Sequence, residues 1–194
     1  MSTKMKRNRK SNSDGLKVRG FFRIRVTEGD LDKPDTLKLV GDSGVDADGN
    51  LINGDGWLPN LVTAAGFKEF LALTLAGSAG SKTVSHMGVG TGGAPASNDT
   101  TLSGEITHNT NCRVTVAPTT AASGAGYNVS FAGAFNSSAS FLTASANLSN
   151  VGLFNIALSS NSQTQGTVFA GNTYASSAVA TNNNLQITYA VKFS

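Results

Sequence analysis

Apolar and polar residues alternate with period two in three places along the chain. Leu16, Val18, Gly20, Phe22, Ile24 and Val26 interleave with Lys17, Arg19, Phe21, Arg23 and Arg25. Tyr127, Val129, Phe131, Gly133 and Phe135 make the second run, and Leu185, Ile187, Tyr189, Val191 and Phe193 the third. Successive side chains on a strand point to opposite faces, so each run predicts an antiparallel strand with one face buried. Further strands are expected over 84–89, 111–117, 139–145, 151–158 and 166–171, separated by turn signals at 123–126, 136–138, 159–165 and 182–184. Short strands at such spacing point to a sandwich and away from alternating strand–helix units. The Lys and Arg stripe on the first run is the decoration expected of an exposed edge strand.

One segment departs from period two. Val62, Ala65, Phe70, Leu73 and Ala76, widened by Leu71, follow helical spacing, with Thr63 placed to cap the start and Gly77 the end. The expected architecture is therefore mainly β. It is an antiparallel β-sandwich with one accessory helix near 62–76 and an extended basic N-terminal arm. It divides into a flexible basic arm (1–15), a strand plus acidic loop extension (16–59) and a β-sandwich domain (60–194).

Residues 83–113 hold the densest set of signals. A short apolar strand runs into Gly88, Gly90, Gly92 and Gly93, Pro95 fixes the exit, and Asn98-Asp99 marks a turn. Gly90, at the centre of G-V-G-T-G, is expected where a Cβ would disturb a close backbone contact. Residues 88–93 match G-x-G-x-x-G, but Ala94-Pro95-Ala96-Ser97 follows where dinucleotide binding requires a helix N-terminus. The glycines therefore read as a tight strand-to-loop crossover.

The order of several short motifs resembles a family of tailed-bacteriophage virion proteins of the tail, head-fibre and capsid-decoration type. These motifs are Asn60-Leu61-Val62-Thr63 with Gly66, then G-V-G-T-G followed by D-T-x-L and Glu105. After them come Gly152-Leu153-Phe154-Asn155 and the closing alternating strand. The resemblance spans roughly residues 57–194 and implies a β-rich particle component without enzymatic activity. It makes Gly88, Gly90, Gly92, Gly152 and Phe154 structural positions, joined by Trp57 as a packing anchor for the preceding loop. The expected location is the virion, on the head shell or tail. A receptor- or glycan-binding module of a tail or head fibre is the alternative.

Charge sharpens the picture. Only 14% of the 194 residues are charged, against about 25% in ordinary domains. After Ile106 the charged residues are Arg113 and Lys192. Two explanations stand: a surface packed on neighbouring subunits, or a Ser/Thr/Asn surface exposed on a particle. The remaining charge is segregated. Residues 1–25 hold nine Lys and Arg against Asp14, and residues 26–56 hold eight Asp and Glu against Lys33 and Lys38. The arm residues Lys4, Lys6, Arg7, Arg9 and Lys10 are expected to bind a partner. That partner is an acidic protein surface such as a neighbour's loop, with nucleic acid possible through phosphate contacts but not favoured. Expected partners are other virion proteins and further copies of the chain, with no membrane contact.

Chemistry-bearing residues are few. Asp46, Asp48 and Asn50 have calcium-loop spacing, but Leu51 stands where Gly belongs and Trp57 where Glu belongs. A looser site adding Asp55 is a weak possibility beside a tight turn capped by its own acidic side chains. One cysteine, Cys112, excludes an internal disulfide. On an extended strand Cys112 and His108 would sit about 13 Å apart, too far to ligate one ion. His86 lies on another element, and there is no G-x-S-x-G. No catalytic residue, cofactor or metal is expected.

Overall fold

The computed structural model describes residues 17–29, 34–40, 58–123, 126–158 and 166–193. Ten strands lie in these residues. They are β1 Val18–Gly29, β2 Pro34–Val40, β3 Leu58–Val62, β4 His86–Gly90, β5 Arg113–Thr115, β6 Ala117–Ser123, β7 Gly126–Phe135, β8 Ala146–Phe154, β9 Val168–Val179 and β10 Asn183–Phe193. Every pairing is antiparallel. The order is β5-β4-β8-β9-β3-β1-β10-β7-β6, with β2 also laid on β1.

The expected two-sheet sandwich is corrected to a single sheet curled into a nearly closed barrel. Two lengths of chain make the difference. β3 pairs with β1 through Leu58, Pro59 and Asn60, then with β9 through Leu61 and Val62. On the other side β5 pairs with β4, and just past Val116 the same chain continues as β6 against β7. Each length belongs to both halves, so the hydrogen-bonded ladder turns the corner where a sandwich would keep two free edges.

Period-two alternation fills the interior. Phe22, Tyr189 and Phe131 stand in one row across β1, β10 and β7; Ile24, Ile187 and Gly133 form the next, and Val26, Leu185 and Phe135 the third. The facing wall carries Val114, Met87, Leu153, Ala170 and Val62 in one row. Gly133 leaves room for Val114 and Met87, which lie 3.0 and 3.1 Å from where its Cβ would be. β1 is not the edge strand its basic stripe suggested: β10 flanks it on one side, β2 and β3 on the other. Its outward Phe21 is also buried.

Other expectations shift. Residues 139–145 form no strand. Ser137–Ala139 is a 3-10 turn, Ser140 takes a left-handed conformation (φ 52°), and Phe141 and Leu142 plug the core from a loop. The 111–117 strand opens with a 3-10 turn, Thr110–Cys112, and β9 runs on to Val179.

The helix begins later than expected. Gly66–Ala72 is π-helical and Leu73–Leu75 closes it as a single α turn. Thr63 Oγ1 accepts from Gly66 N at 2.9 Å, and Gly66 packs directly on the Phe169 carbonyl. Phe70 turns into the core 5.2 Å from the Phe169 ring. At the far end Gly77 is left-handed (φ 61°), its N–H donating to Thr74 O and that of Ser78 to Leu73 O. Among the described residues no helix is long and apolar enough to cross a membrane.

Phe22 lies between Tyr189 and Tyr174, with ring centroids 6.0 and 6.2 Å away. Phe22→Ala should therefore cost about 3–5 kcal/mol in urea unfolding, the range for large aromatic truncations in a packed core. Phe67→Ala, at a side chain 46% exposed, should stay within about 0.5 kcal/mol of wild type.

Candidate functional site

The outward face of β4 and β8 is covered by chain, not by solvent. Gly88 of β4 sits opposite Gly152 of β8, which sits opposite Gly171 of β9. This strip lacks side chains, and the Phe154 ring lies over it. A Cβ at Gly88 or Gly152 would come 3.1 or 3.3 Å from the ring edge. Leu102 and Val168 complete a small buried cluster around Phe154.

Arg113 lies against the same ring, its guanidinium carbon 3.6 Å from the centroid. Cation–π contact of this kind strengthens when water is excluded. Arg113 Nε donates to Glu105 Oε1 at 2.5 Å, one terminal nitrogen to Glu105 Oε2 at 2.9 Å, and the other to Ile156 O at 3.1 Å. Both side chains of the pair are fully buried. Backbone register sets the geometry. Arg113 pairs with Gly88, and Glu105 bridges to Gly90. Those partners are two residues apart on β4, so both charged side chains emerge on one face.

Residues 91–103 leave β4 and fold back, and residues 104–106 return alongside it. Thr91 N donates to Gly104 O and Ile106 N to Val89 O. Asn150, buried on β8, donates its amide to Gly93 O at 3.0 Å and Ser103 O at 2.8 Å, while Ser149 Oγ donates to Gly92 O at 2.9 Å. Gly90 lies where these chains meet: its Cβ would stand 2.6 Å from Asn150 Oδ1 and 2.7 Å from Gly104 O. Gly92 is pressed against Ser103 in the same way.

Of the positions singled out in the sequence, Gly88, Gly152 and Phe154 thus form one contact set, and Gly90 and Gly92 lie under the returning loop. Trp57, the arm residues Lys4, Lys6, Arg7, Arg9 and Lys10, and Asp46, Asp48, Asn50 and Asp55 lie outside the described residues. The charged pair and Asn150 went unrecognised, although a signal existed. Glu105 is the last acid in the chain and Arg113 one of two charges after Ile106. Opposite charges isolated within an uncharged stretch are candidates for each other.

Burial raises the Glu105 pKa, and the hydrogen bonds and charge of Arg113 pull it back. The His86 pKa is lowered, first by burial and then by Arg113. Its Nδ1 lies 2.8 Å from Ser85 Oγ and its Nε2 3.4 Å from Thr115 Oγ1. His108 and Cys112 correct the expected separation. The 3-10 turn replaces extended chain and brings Cys112 Sγ within 3.5 Å of His108 Nδ1. The thiol is buried, lies 3.4 Å from Phe141 O, and has a pKa raised mainly by desolvation. That is the setting of a packed, unreactive cysteine. Among the described residues no three His, Cys, Asp or Glu side chains gather to hold a metal ion.

Comparison of the chain with protein-family models, with curated proteins and with solved structures finds no match.

Glu105→Gln or Arg113→Met alone leaves a buried group without its charged partner and should cost about 3–5 kcal/mol. The double variant should lose less than the sum of the two, a non-additivity measured by a double-mutant cycle in urea. Gly90→Ala should cost more than the roughly 1 kcal/mol of an unconstrained glycine site, because Gly104 backbone cannot retreat. A melting temperature equal to wild type would contradict the contact.

Proposed function

We propose that the protein is a non-enzymatic structural component of a bacteriophage virion, attached to the head shell or tail and packed against copies of itself or other subunits. One observation carries this reading. Of the two charged residues after Ile106, Arg113 is fully buried against Glu105, leaving Lys192. Among the described residues the rest of that surface is mainly hydroxyl, amide and apolar groups, Tyr127 and Ile156 being the large ones, and these lose less on desolvation than charges do. The virion assignment itself comes from the motif resemblance. Parts of two of its motifs, Gly88–Gly90 of G-V-G-T-G and Gly152–Phe154 of G-L-F-N, lie on the neighbouring strands β4 and β8, with Gly88 opposite Gly152. In this reading the basic arm meets an acidic protein neighbour, with nucleic acid as the rival.

A glycan-binding reading has one feature in its favour, a polar cleft of about 390 Å³ lined by His86, Thr110, Asn111, Thr115 and Asn136. It ranks second. Asn111 donates its amide to Ala139 O in the neighbouring turn and Asn136 accepts from Ser138 N within its own, so both are engaged in holding backbone. Among the described residues no Phe, Tyr or Trp ring lines the cleft to stack on a sugar.

Sedimentation velocity and electron microscopy of the full chain should show a discrete homo-oligomer or lattice. The genes beside its own should encode portal, terminase and major capsid proteins. A monomer at every concentration, or a neighbourhood of metabolic genes, would overturn the proposal. Glycan-array binding by such a monomer would favour the second reading.

A further inference from the structure

We infer that the protein binds a second copy of itself through the free edge of β6 and the apolar cleft beside it. This rests on the reading above, of a protein that assembles, and assigns the surface.

The barrel seam does not close along its full length. β5 is paired with β4, but β6 runs on from Ala117 to Ser123 and, among the described residues, pairs with β7 alone. The side chains of residues 117–122 are exposed on both faces of the strand. The segment reads A-P-T-T-A-A-S, with no charge at any position. Free strand edges are templates for pairing, and monomeric proteins blunt them with Lys, Pro or bulges. Here Pro118 stands near the start, and every residue from Thr119 onward keeps its N–H.

Next to this edge lies a cleft of about 220 Å³, bounded by Phe70 and Leu71 of the helix and by Pro118, Val129, Val191 and Phe193 of the sheet. It exists because the sheet outruns the barrel: Val18, Phe193, Tyr127 and Ala122 form a last cross-strand row. Two large apolar side chains project nearby. Leu75, one helical turn beyond Leu71, is 91% exposed, and Tyr127, opposite Phe193, is 64% exposed.

These features select the occupant. A two-fold contact requires one surface to carry both projections and the recess that accepts them. This surface carries both. Antiparallel pairing of β6 with β6 brings no like charges face to face. Lys82, at the rim of the cleft, is already paired with Glu69, so nothing there recruits a charged peptide. A small apolar ligand would fill the cleft yet leave the outer edge of this seven-residue strand, where alternate residues present their N–H and C=O, without a partner among the described residues.

The test uses the full chain. Thr120→Lys places like charges across the paired edges and Leu75→Lys removes a projection. Each should raise the dimer dissociation constant by about tenfold or more, read by sedimentation equilibrium, with the wild-type circular dichroism retained. Cysteine introduced singly at Thr119, Thr120 or Ala121 should give an inter-chain disulfide at the position nearest the two-fold axis, since the native Cys112 is buried. An oligomer of unchanged affinity in both Lys variants, with no cross-link at any of the three positions, overturns this surface and leaves the assembly reading standing. A wild-type monomer at all concentrations overturns both. A native mass spectrum of monomer carrying an apolar small molecule overturns the inference in favour of a ligand pocket.

Discussion

A guanidinium removed from water has to find a partner for each donor, or it costs several kcal/mol. Arg113 is in that position, and much of the molecule's outer architecture answers it. Glu105 can present both carboxylate oxygens because residues 104–106 lie along β4, with Gly104 in a left-handed conformation (φ 61°). Residues 104–106 reach β4 because residues 91–103 fold back and are held by Asn150. The Phe154 ring can offer its face because Gly88 and Gly152 have no side chains beneath it. A charged pair buried in this way contributes little net stability compared with apolar residues of equal size, but its loss on one side is severe. Its structural effect is to give residues 91–109 a single place to sit.

The barrel obeys a different constraint, that backbone groups in a sheet stay paired. Its alternating walls were legible: Phe22, Ile24, Tyr189, Phe131 and Val191 are all buried, as period two requires. The closure was not. β3 is five residues long and changes partner at Asn60, while the strand through Val116 changes partner at one residue. Nothing in local hydrophobic pattern records which strands flank a strand, so corner strands look like ordinary short strands or loops. β6 left no trace at all, because a strand exposed on both faces has no inner face to make apolar. Phe141 and Leu142 misled in the opposite sense, being apolar neighbours buried from a loop.

The site was legible in its parts and not in its assembly. Glycines spaced along 88–93 announced close approach, and G-L-F-N announced a second glycine turn, but their contact depends on the β4–β8 register. The distance between His108 and Cys112 was misjudged for a local reason. Asn109 accepts from Asn111 N through its side chain and starts the 3-10 turn, which shortens the chain and folds the thiol back onto the imidazole. Asn109 and Asn111 then donate to the carbonyls of Ser140 and Ala139, tying this turn to the one that inserts Phe141. Small polar side chains here set backbone geometry, which is why so many of them carry no sign of ligand chemistry.

Sheet continuity and charge depletion meet at the seam. β4 is short because the chain before His86 must cross to the helix, where Lys82 is tied to Glu69 through both side chain and backbone. β6 is longer because β7 and β10 extend past the barrel end. The mismatch leaves an edge that no described segment covers, and the helix fills the barrel end without reaching that edge. A chain living alone would be expected to place charge there, and the one charged residue lining the adjacent cleft, Lys82, is held in an internal ion pair. The arrangement of charge is therefore consistent with the arrangement of strands. The same stretch that leaves backbone unpaired also leaves out the groups that would repel an identical neighbour.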